Sequence, residues 1–529
     1  MHKPIIGAPR SRIDSLPSPE GRGRGWGSWP PNNQPLPSGQ LTAFSRVSLP
    51  HILPLLLAAT ITTPVPDYAI LVSRQTHADP AWHRVVQKLA DKHTGAVVIY
   101  EGDITSARET LAAQMPIHTA IVAKPEELGR GVVARIHRTM RKLDSDPYTD
   151  TLWGIVTGLS ADDALQLVSD DKPLVIEDAV STTGINAGLF EQMFTISDGD
   201  PGAWVYKIGA NTTSGGTKDD IERNSDRATL FGERFTQISP DLIVTSSHGF
   251  QNGIEMPWGH GMLVARSGEL AILPQNPPKD GKPGKGLGKP QKLPHSPNPK
   301  VFLPIGNCLV GHIDAKHTTD SLILALQRSA AVRQTVGYTI ETWYGRGGWG
   351  TLGLLQSQPG NFTVAEAWFF NHQQLLEELR THHPKAAAFD YDWTDKSSVE
   401  SYMRAATKAG IDGRNKDQMG LSFDRDVVAL YGDPKYDARL DKSRWTAPFT
   451  TNVEASAADL RITITARDAR FQGPAMIYFP RRMPNPKATA LPDNAILADN
   501  FLIIPDISRL VGELGTATIR ITLGAATTN

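Results

Sequence analysis

The chain has a single cysteine, Cys308, among 529 residues. An intramolecular disulfide is thereby excluded, and cysteine usage gives no indication of redox compartment. An excess of charge of either sign is also missing: 54 Lys and Arg face 55 Asp and Glu, for a net charge of −1. That balance offers no electrostatic footprint for nucleic acid. No apolar run is long enough to span a bilayer, so no transmembrane segment is expected. The glycine-rich stretch from Trp343 to Gly350 lacks the Lys-Ser/Thr pair of a phosphate cradle, and no organic cofactor is indicated. What remains is ordinary: 40% hydrophobic and 21% charged residues, the make-up of a globular chain of two or three domains. Oligomeric state is not indicated.

Two short apolar runs end on reactive side chains. Leu242, Ile243 and Val244 lead through small polar residues to His248 and Gly249. Val301, Phe302, Leu303 and Ile305 lead to Gly306, Asn307 and Cys308. Each reads as a buried strand of a parallel sheet. Ligands and chemistry collect beyond the carboxyl ends of such strands, so adjacent strands would bring an imidazole and a thiol to one rim. A thiol attacks a carbonyl as its thiolate, and a nearby imidazole can take its proton. The N–H groups of Gly249 and Cys308 could then form an oxyanion hole. The bland alternatives are a small buried thiol and a hydrogen-bonded structural imidazole. A second His-Gly pair, His260-Gly261, rivals His248 as the base, and Glu255 and Trp258 between them could line a cleft.

Alternating strands and helices over residues 67–170 and again over 171–440 predict an α/β body, a parallel sheet covered on both faces in two halves. In the first half, strands fall near Tyr68–Val72, Ala96–Tyr100 and Thr119–Ala123. Asp79-Pro80 caps a helix. Asp144, Asp146 and Asp150 follow a basic amphipathic helix and read first as a turn and capping set. In the second half, Pro173–Asp178 is a strand ending on two acids. Glu177 or Asp178 could orient His248 as a third member of the site, or cap a helix opened by Ser181-Thr182-Thr183-Gly184. Asn211–Gly216 is a polar loop. Residues 275–300, with six Lys among many Pro and Gly, form a solvated linker, or else a lid or processing site. Cys308, His312 and His317 have a ligand-like spacing but no fourth partner, so no metal is assigned. The glycines after Trp343 would let a loop approach a substrate backbone, with Trp343 as an apolar wall.

The two ends differ from this body. Residues 1–66 begin rich in Gly, Pro, Ser and Arg, a composition that cannot bury a core. Arg46 and then Leu49 to Ala59 are similar to a signal peptide displaced from Met1. Export, periplasmic or secreted, is expected, with a cytoplasmic location as the alternative. Over 445–529, short alternating strands such as Leu460–Thr465 and Thr516–Leu523 predict a small β-sandwich.

Ser-His-Gly after one apolar strand and Gly-Asn-Cys after the next resemble the signatures of the caspase–hemoglobinase clan, and within it the gingipain family. Asp146-Pro147-Tyr148 leading to Ile155–Ser160, Val336–Thr339, and Tyr431-Gly432-Asp433-Pro434 add to the resemblance in the same order, over about residues 67 to 440. Thr157-Gly158 stands where that family has Gly-Arg. The resemblance implies a caspase-like fold with a C-terminal immunoglobulin-like β-sandwich. It implies a cysteine endopeptidase acting on a peptide or protein substrate. Cys308 would be its nucleophile and His248 its proton carrier. It further implies Asp146 in a specificity pocket for a basic side chain, Trp343 in the substrate pocket, and a structural calcium whose ligands cannot be assigned. Two alternatives are an inactive peptidase-fold scaffold and a thiol amidase or transpeptidase.

Overall fold

The structure, a computed structural model, describes residues 67–529 apart from 197–202, 217–225, 278, 280–285, 457, 469–470, 472, 512–514 and 524–529. The signal-like segment and the Gly/Pro-rich stretch within residues 1–66 lie outside the described residues, as does part of the Lys-rich linker.

Twelve strands form one central sheet: β1 (Tyr68–Ser73), β2 (Ala96–Tyr100), β3 (His118–Val122), β4 (Leu152–Val156), β5 (Asp178–Ser181), β6 (Gln192–Ile196), β7 (Trp204–Ile208), β8 (Asn211–Gly215), β9 (Leu242–Thr245), β10 (Lys300–Pro304), β11 (Val332–Tyr338) and β12 (Val428–Tyr431). Their order is β2-β1-β3-β4-β12-β11-β10-β9-β5-β6-β7-β8. Strands β1 to β4 are mutually parallel. So are β6, β5, β9, β10 and β11. The two sets run in opposite directions and are joined by β12, antiparallel to β11 and parallel to β4.

Burial on both faces explains why inner parallel strands such as β1, β9 and β10 read as unbroken apolar runs. Tyr68, Ile70 and Val72 pack with Trp82, Val85 and Leu89 of the helix Pro80–His93. Their neighbours Ala69 and Leu71 join Leu111, Val133 and Ile136 on the other face. Strands β9 and β10 are buried along their whole length. Asp79 caps its helix through the N–H of Ala81, with Pro80 in the first turn.

The seam between the half-sheets is held by Asp433, just past β12. Its carboxylate accepts from Tyr68 Oη at 2.8 Å, contacts His93 Nε2 at 2.7 Å and lies 3.5 Å from Lys92 Nζ. Gly432 takes φ +125° where a Cβ would run into the Arg333 carbonyl, so only glycine fits there.

Several elements differ from the sequence reading. Pro173–Asp178 is not one strand: Leu174–Ile176 pairs with Ala438–Leu440, and β5 starts afresh at Asp178. Ser181-Thr182-Thr183 opens no helix, because its hydroxyls fold the loop: Ser181 Oγ donates to Thr183 O at 2.7 Å. Asn211–Gly215 is an exposed edge strand rather than a loop. The glycines after Trp343 lie mostly in a helix, Arg346–Ser357. Added side chains at Gly347, Gly348 and Gly350 would strike Val428, Ile305 and Asn371, so these glycines serve packing.

Beyond residue 445, two small antiparallel sheets enclose a second core. One contains Phe449–Ala455, Asp459–Ala466, Thr516–Thr522 and Lys487–Ala488; the other contains Ala475–Tyr478, Phe501–Ile504 and Ile496–Leu497. Leu502 and Ile504 face that core. Phe501 and Ile503, on the opposite face, pack into the core of the α/β body. No helix among the described residues is long and apolar enough to cross a membrane.

Burial alone would raise the pKa of Asp433, but the hydrogen bond and charge of His93 and the charge of Lys92 outweigh it and hold the carboxyl at about 2. A depressed carboxyl contributes stability that is complete above its unfolded pKa, about 4, and is lost as pH falls toward the folded value. Asp433→Asn should therefore destabilise the fold at neutral pH. Denaturant titrations should also show an acid limb between about pH 4 and about pH 2 shallower by roughly 2 kcal/mol.

Candidate active site

Parallel pairing of β9 with β10, from Leu242 opposite Val301 to Thr245 opposite Pro304, sends both chains out at the same rim. There the two loops are laced together by Asn307, which is fully buried. Its Oδ1 accepts from Thr245 Oγ1 at 2.6 Å, and its Nδ2 donates to Ser247 O at 3.0 Å. Its own carbonyl accepts from Thr342 Oγ1 at 2.9 Å, beyond the end of β11. Three strand exits are thus tied through one amide residue.

Gly249 lies against the neighbouring loop. A Cβ there would come within 2.7 Å of Cys308 O and 3.0 Å of Cys308 N, so any side chain would push the two loops apart. Gly249 faces Ile254 across a short hairpin, and the flanking bond runs from Glu255 N to His248 O at 2.9 Å. That places Gly249 at a narrow, non-hydrogen-bonded position of the ladder, with its N–H directed away from the hairpin.

Cys308 is a free, half-buried cysteine. Its Sγ accepts from the Thr342 N–H at 3.3 Å. Burial pushes the thiol pKa up, the Thr342 N–H opposes this, and the nearby charge of Glu341 adds to the rise. A thiol in such a setting reacts only where a base can take its proton. His248 is exposed, and among the described residues its ring has no hydrogen-bond partner.

The other candidates are placed as follows. Glu177 and Asp178 lie at the start of β5, at the opposite end of the sheet from His248. Asp241 accepts from both of their N–H groups at 3.0 Å, and Asp178 accepts from Gln192 N at 2.8 Å. Neither acid can orient His248. His260 gives its carbonyl to the N–H groups of Arg227 and Ala228, at the start of the helix Arg227–Ile238. Glu255 sits on the hairpin strand bonded to His248, while Trp258 is exposed. Trp343, next to Thr342, is half-buried and meets Phe423 edge-on at 6.0 Å between ring centres.

Asp146 lies in a group of carboxylates. It joins Asp144, Asp150 and Asp499 in a cluster whose oxygens lie within 4.8 Å of one another. The loop that carries it leads into β4, three strands from β10, about 14 Å across the sheet at ordinary strand spacing. Burial and then the neighbouring carboxylates push Asp146 up to about 6 and Asp150 up to about 9. An arginine of the chain itself, Arg482, already pairs with Asp499 at 2.5 Å. Asn307, Thr342 and Glu341 were not singled out from sequence. Asn307 adjoins the cysteine, but nothing in the residues near Thr342 or Glu341 marks them as its neighbours.

No protein-family model matches this chain, and neither does any curated protein. Two solved structures resemble it. One is the complex of the pro- and mature domains of RgpB from Porphyromonas gingivalis: 11% identity, 84% of this chain and 94% of that chain covered, TM-score 0.36. The other, described as a protease, shows 9% identity, 84% and 91% coverage, and TM-score 0.36. A likeness at that TM-score says nothing about chemistry, which rests on the geometry of the site alone.

Glu341→Gln removes the like charge beside the thiol. The midpoint of iodoacetamide labelling of Cys308 should move to lower pH; a midpoint that stays or rises contradicts the field ascribed to Glu341. Gly249→Ala should change the labelling rate several-fold and lower the melting temperature, because the added carbon meets the buried Asn307 as well as the Cys308 backbone.

Proposed function

We propose that the chain is a cysteine-dependent peptide-bond hydrolase of caspase-like architecture, with Cys308 as nucleophile and His248 as proton carrier. The observation that supports it most is the contact between Gly249 and the Cys308 backbone, at the exits of two adjacent parallel strands. The thiol proton passes to the His248 imidazole as Sγ bonds to the scissile carbonyl carbon. The oxyanion is received by the N–H groups of Gly249 and Cys308. His248 returns the proton to the leaving amine as the C–N bond breaks. Water then attacks the thioester, giving the acid and restoring the thiol.

With Asp146 held in its cluster, the carboxylate whose field reaches the thiol is Glu341, which is exposed. It would favour a basic side chain near the scissile bond, and Trp343 would form an apolar wall of the same cleft. The two sheets beyond residue 445 would be the immunoglobulin-like module of such an enzyme, and the signal-like run from Leu49 to Ala59 favours export.

A peptidase-fold scaffold is the competing reading. It is favoured by the upward shift of the Cys308 thiol and by the absence of a ring partner for His248 among the described residues. Incubation with a mixed peptide library separates the two. Cleavage should fall by at least a hundredfold in Cys308→Ala and in His248→Ala. Wild-type protein that cuts nothing and resists an acyloxymethyl-ketone probe is a scaffold. Joined products in place of cleaved ones identify a transpeptidase, in which an amine replaces water.

A further inference from the structure

Two histidines that the candidate site does not use are buried side by side against β4 and β12. His137, on the helix Arg130–Met140, is 0% exposed, and His372, on the helix Val364–His382, is 7% exposed. Their ring centres are 4.9 Å apart. Trp153 of β4 meets His137 edge-on at 4.9 Å, and Trp368 stacks with His372 at 6.3 Å. His137 Nε2 lies 2.7 Å from Val428 O. A carbonyl can only accept, so Nε2 carries the proton. The remaining nitrogen of His137, Nδ1, and the Nε2 of His372 are buried with no hydrogen-bond partner among the described residues. The charged groups facing the pair are Arg141, just past the first helix, and Arg425 and Asp426, ahead of β12. Asp426 is already held by both guanidinium groups, at 2.7 and 2.9 Å. Asp390, farther out, is engaged by Arg138 at 3.0 Å. A further positive charge at the pair has no free anion to meet.

We propose that His137 and His372 form an acid latch: their protonation drives the two helices apart and loosens the turn after Trp343, ahead of global unfolding. Neutral rings pack there as ordinary core. Two charged rings repel each other and lack acceptors. Burial, reinforced by the two arginines, lowers His137 to about 4 and His372 well below its ordinary value. For an imidazole held neutral in this way, stability is complete above the unfolded pKa, about 6.5, and is lost as pH falls toward the folded value. Within that interval each ring raises the opening constant about tenfold per pH unit, and the pair about a hundredfold. The neighbours of His372 carry the opening outward. Asn371 Nδ2 donates to the carbonyls of Arg346 and Gly347 at 3.0 and 3.1 Å. Gln373 accepts from Thr149 N at 3.0 Å and donates to Thr149 O at 2.8 Å. The turn held by Asn371 follows Thr342, whose N–H meets Cys308 Sγ. Loss of cleavage in acid would rest on the peptidase reading; the latch itself does not.

The test uses the full chain carrying Cys308→Ala, so that self-cleavage cannot obscure it. Amide hydrogen exchange, corrected for the pH dependence of the chemical rate, is compared at about pH 7 and about pH 5. Segments 343–350 and 364–382 should exchange at least about tenfold faster in acid, while β9 and β10 keep their protection. His137→Gln keeps an N–H for Val428 O; combined with His372→Leu, it should remove the acid effect. Unchanged exchange in both segments overturns the latch. So does acceleration spread evenly over the chain, which is global unfolding, and so does an acid effect that persists in the double variant. If that variant does not fold, the parent chain's exchange pattern still separates local opening from none. His137→Gln by itself should then halve the logarithmic dependence on pH, and an unaltered slope overturns the role of His137. A chain that cleaves no peptide yet opens in acid keeps the latch and loses the peptidase reading.

Discussion

The buried side chain of Asn307 is the constraint on which the candidate site depends. An amide in a dry setting must satisfy both its oxygen and its nitrogen. Here it does so only if the exits of β9 and β10 lie side by side, while its backbone carbonyl holds Thr342 beyond β11. Thr342 in turn offers its N–H to the sulfur. The thiol, the loop carrying the imidazole and the segment leading to Trp343 are therefore positioned by one polar network. Gly249 and Gly306 allow the loops to close this far. An added carbon at Gly306 would collide with Ser246, just as one at Gly249 would collide with Cys308.

The same division of labour runs through the body. Apolar strands supply cohesion without direction, and a few buried polar groups fix which strand meets which. At the seam between the half-sheets, Asp433 collects Tyr68, His93 and Lys92 from the far half. Elsewhere in the core, Asp426 is flanked by Arg141 and Arg425 at 2.7 and 2.9 Å, which hold its carboxyl far below the usual range against the cost of burial. Breaking one partner of such a group leaves an uncompensated buried charge, so losing either partner is costly.

The strands of the central sheet were legible because burial on both faces leaves continuous apolar runs, as in Leu242–Val244 and Val301–Ile305. The positions of His248 and Cys308 at strand exits were legible for the same reason, since they follow where those runs stop. What was illegible depended on distant partners. Asn211–Gly215 carries no apolar signal because its edge position exposes it, and it becomes a strand only by pairing with β7. Glu177 and Asp178 looked like a strand terminus, but the chain breaks and resumes there, and the acids fall at the wrong end of β5. Asp144, Asp146 and Asp150 read as a turn set because their neighbours Asp499 and Arg482 come from the far end of the sequence. The glycines after Trp343 suggested an open loop, and only the nearness of Ile305 and Asn371 reveals a helix pressed against its neighbours.

Arg482 carries a consequence for how the chain can be divided. Its guanidinium meets the main-chain oxygens of Met115, Pro116 and Asp150, and Tyr478 Oη meets that of Ile117 at 2.7 Å. Met115, Pro116 and Asp150 precede β3 and β4 and meet no ladder donor, whereas Ile117 O also accepts from the Leu152 N–H at 3.0 Å. Trimmed of its last eighty or so residues, the α/β body would present bare carbonyls and the apolar footprint of Phe501 and Ile503 to water. The C-terminal module is thus less an appendage than the missing edge of the body, and the boundary near residue 445 divides sequence patterns, not independently folding pieces.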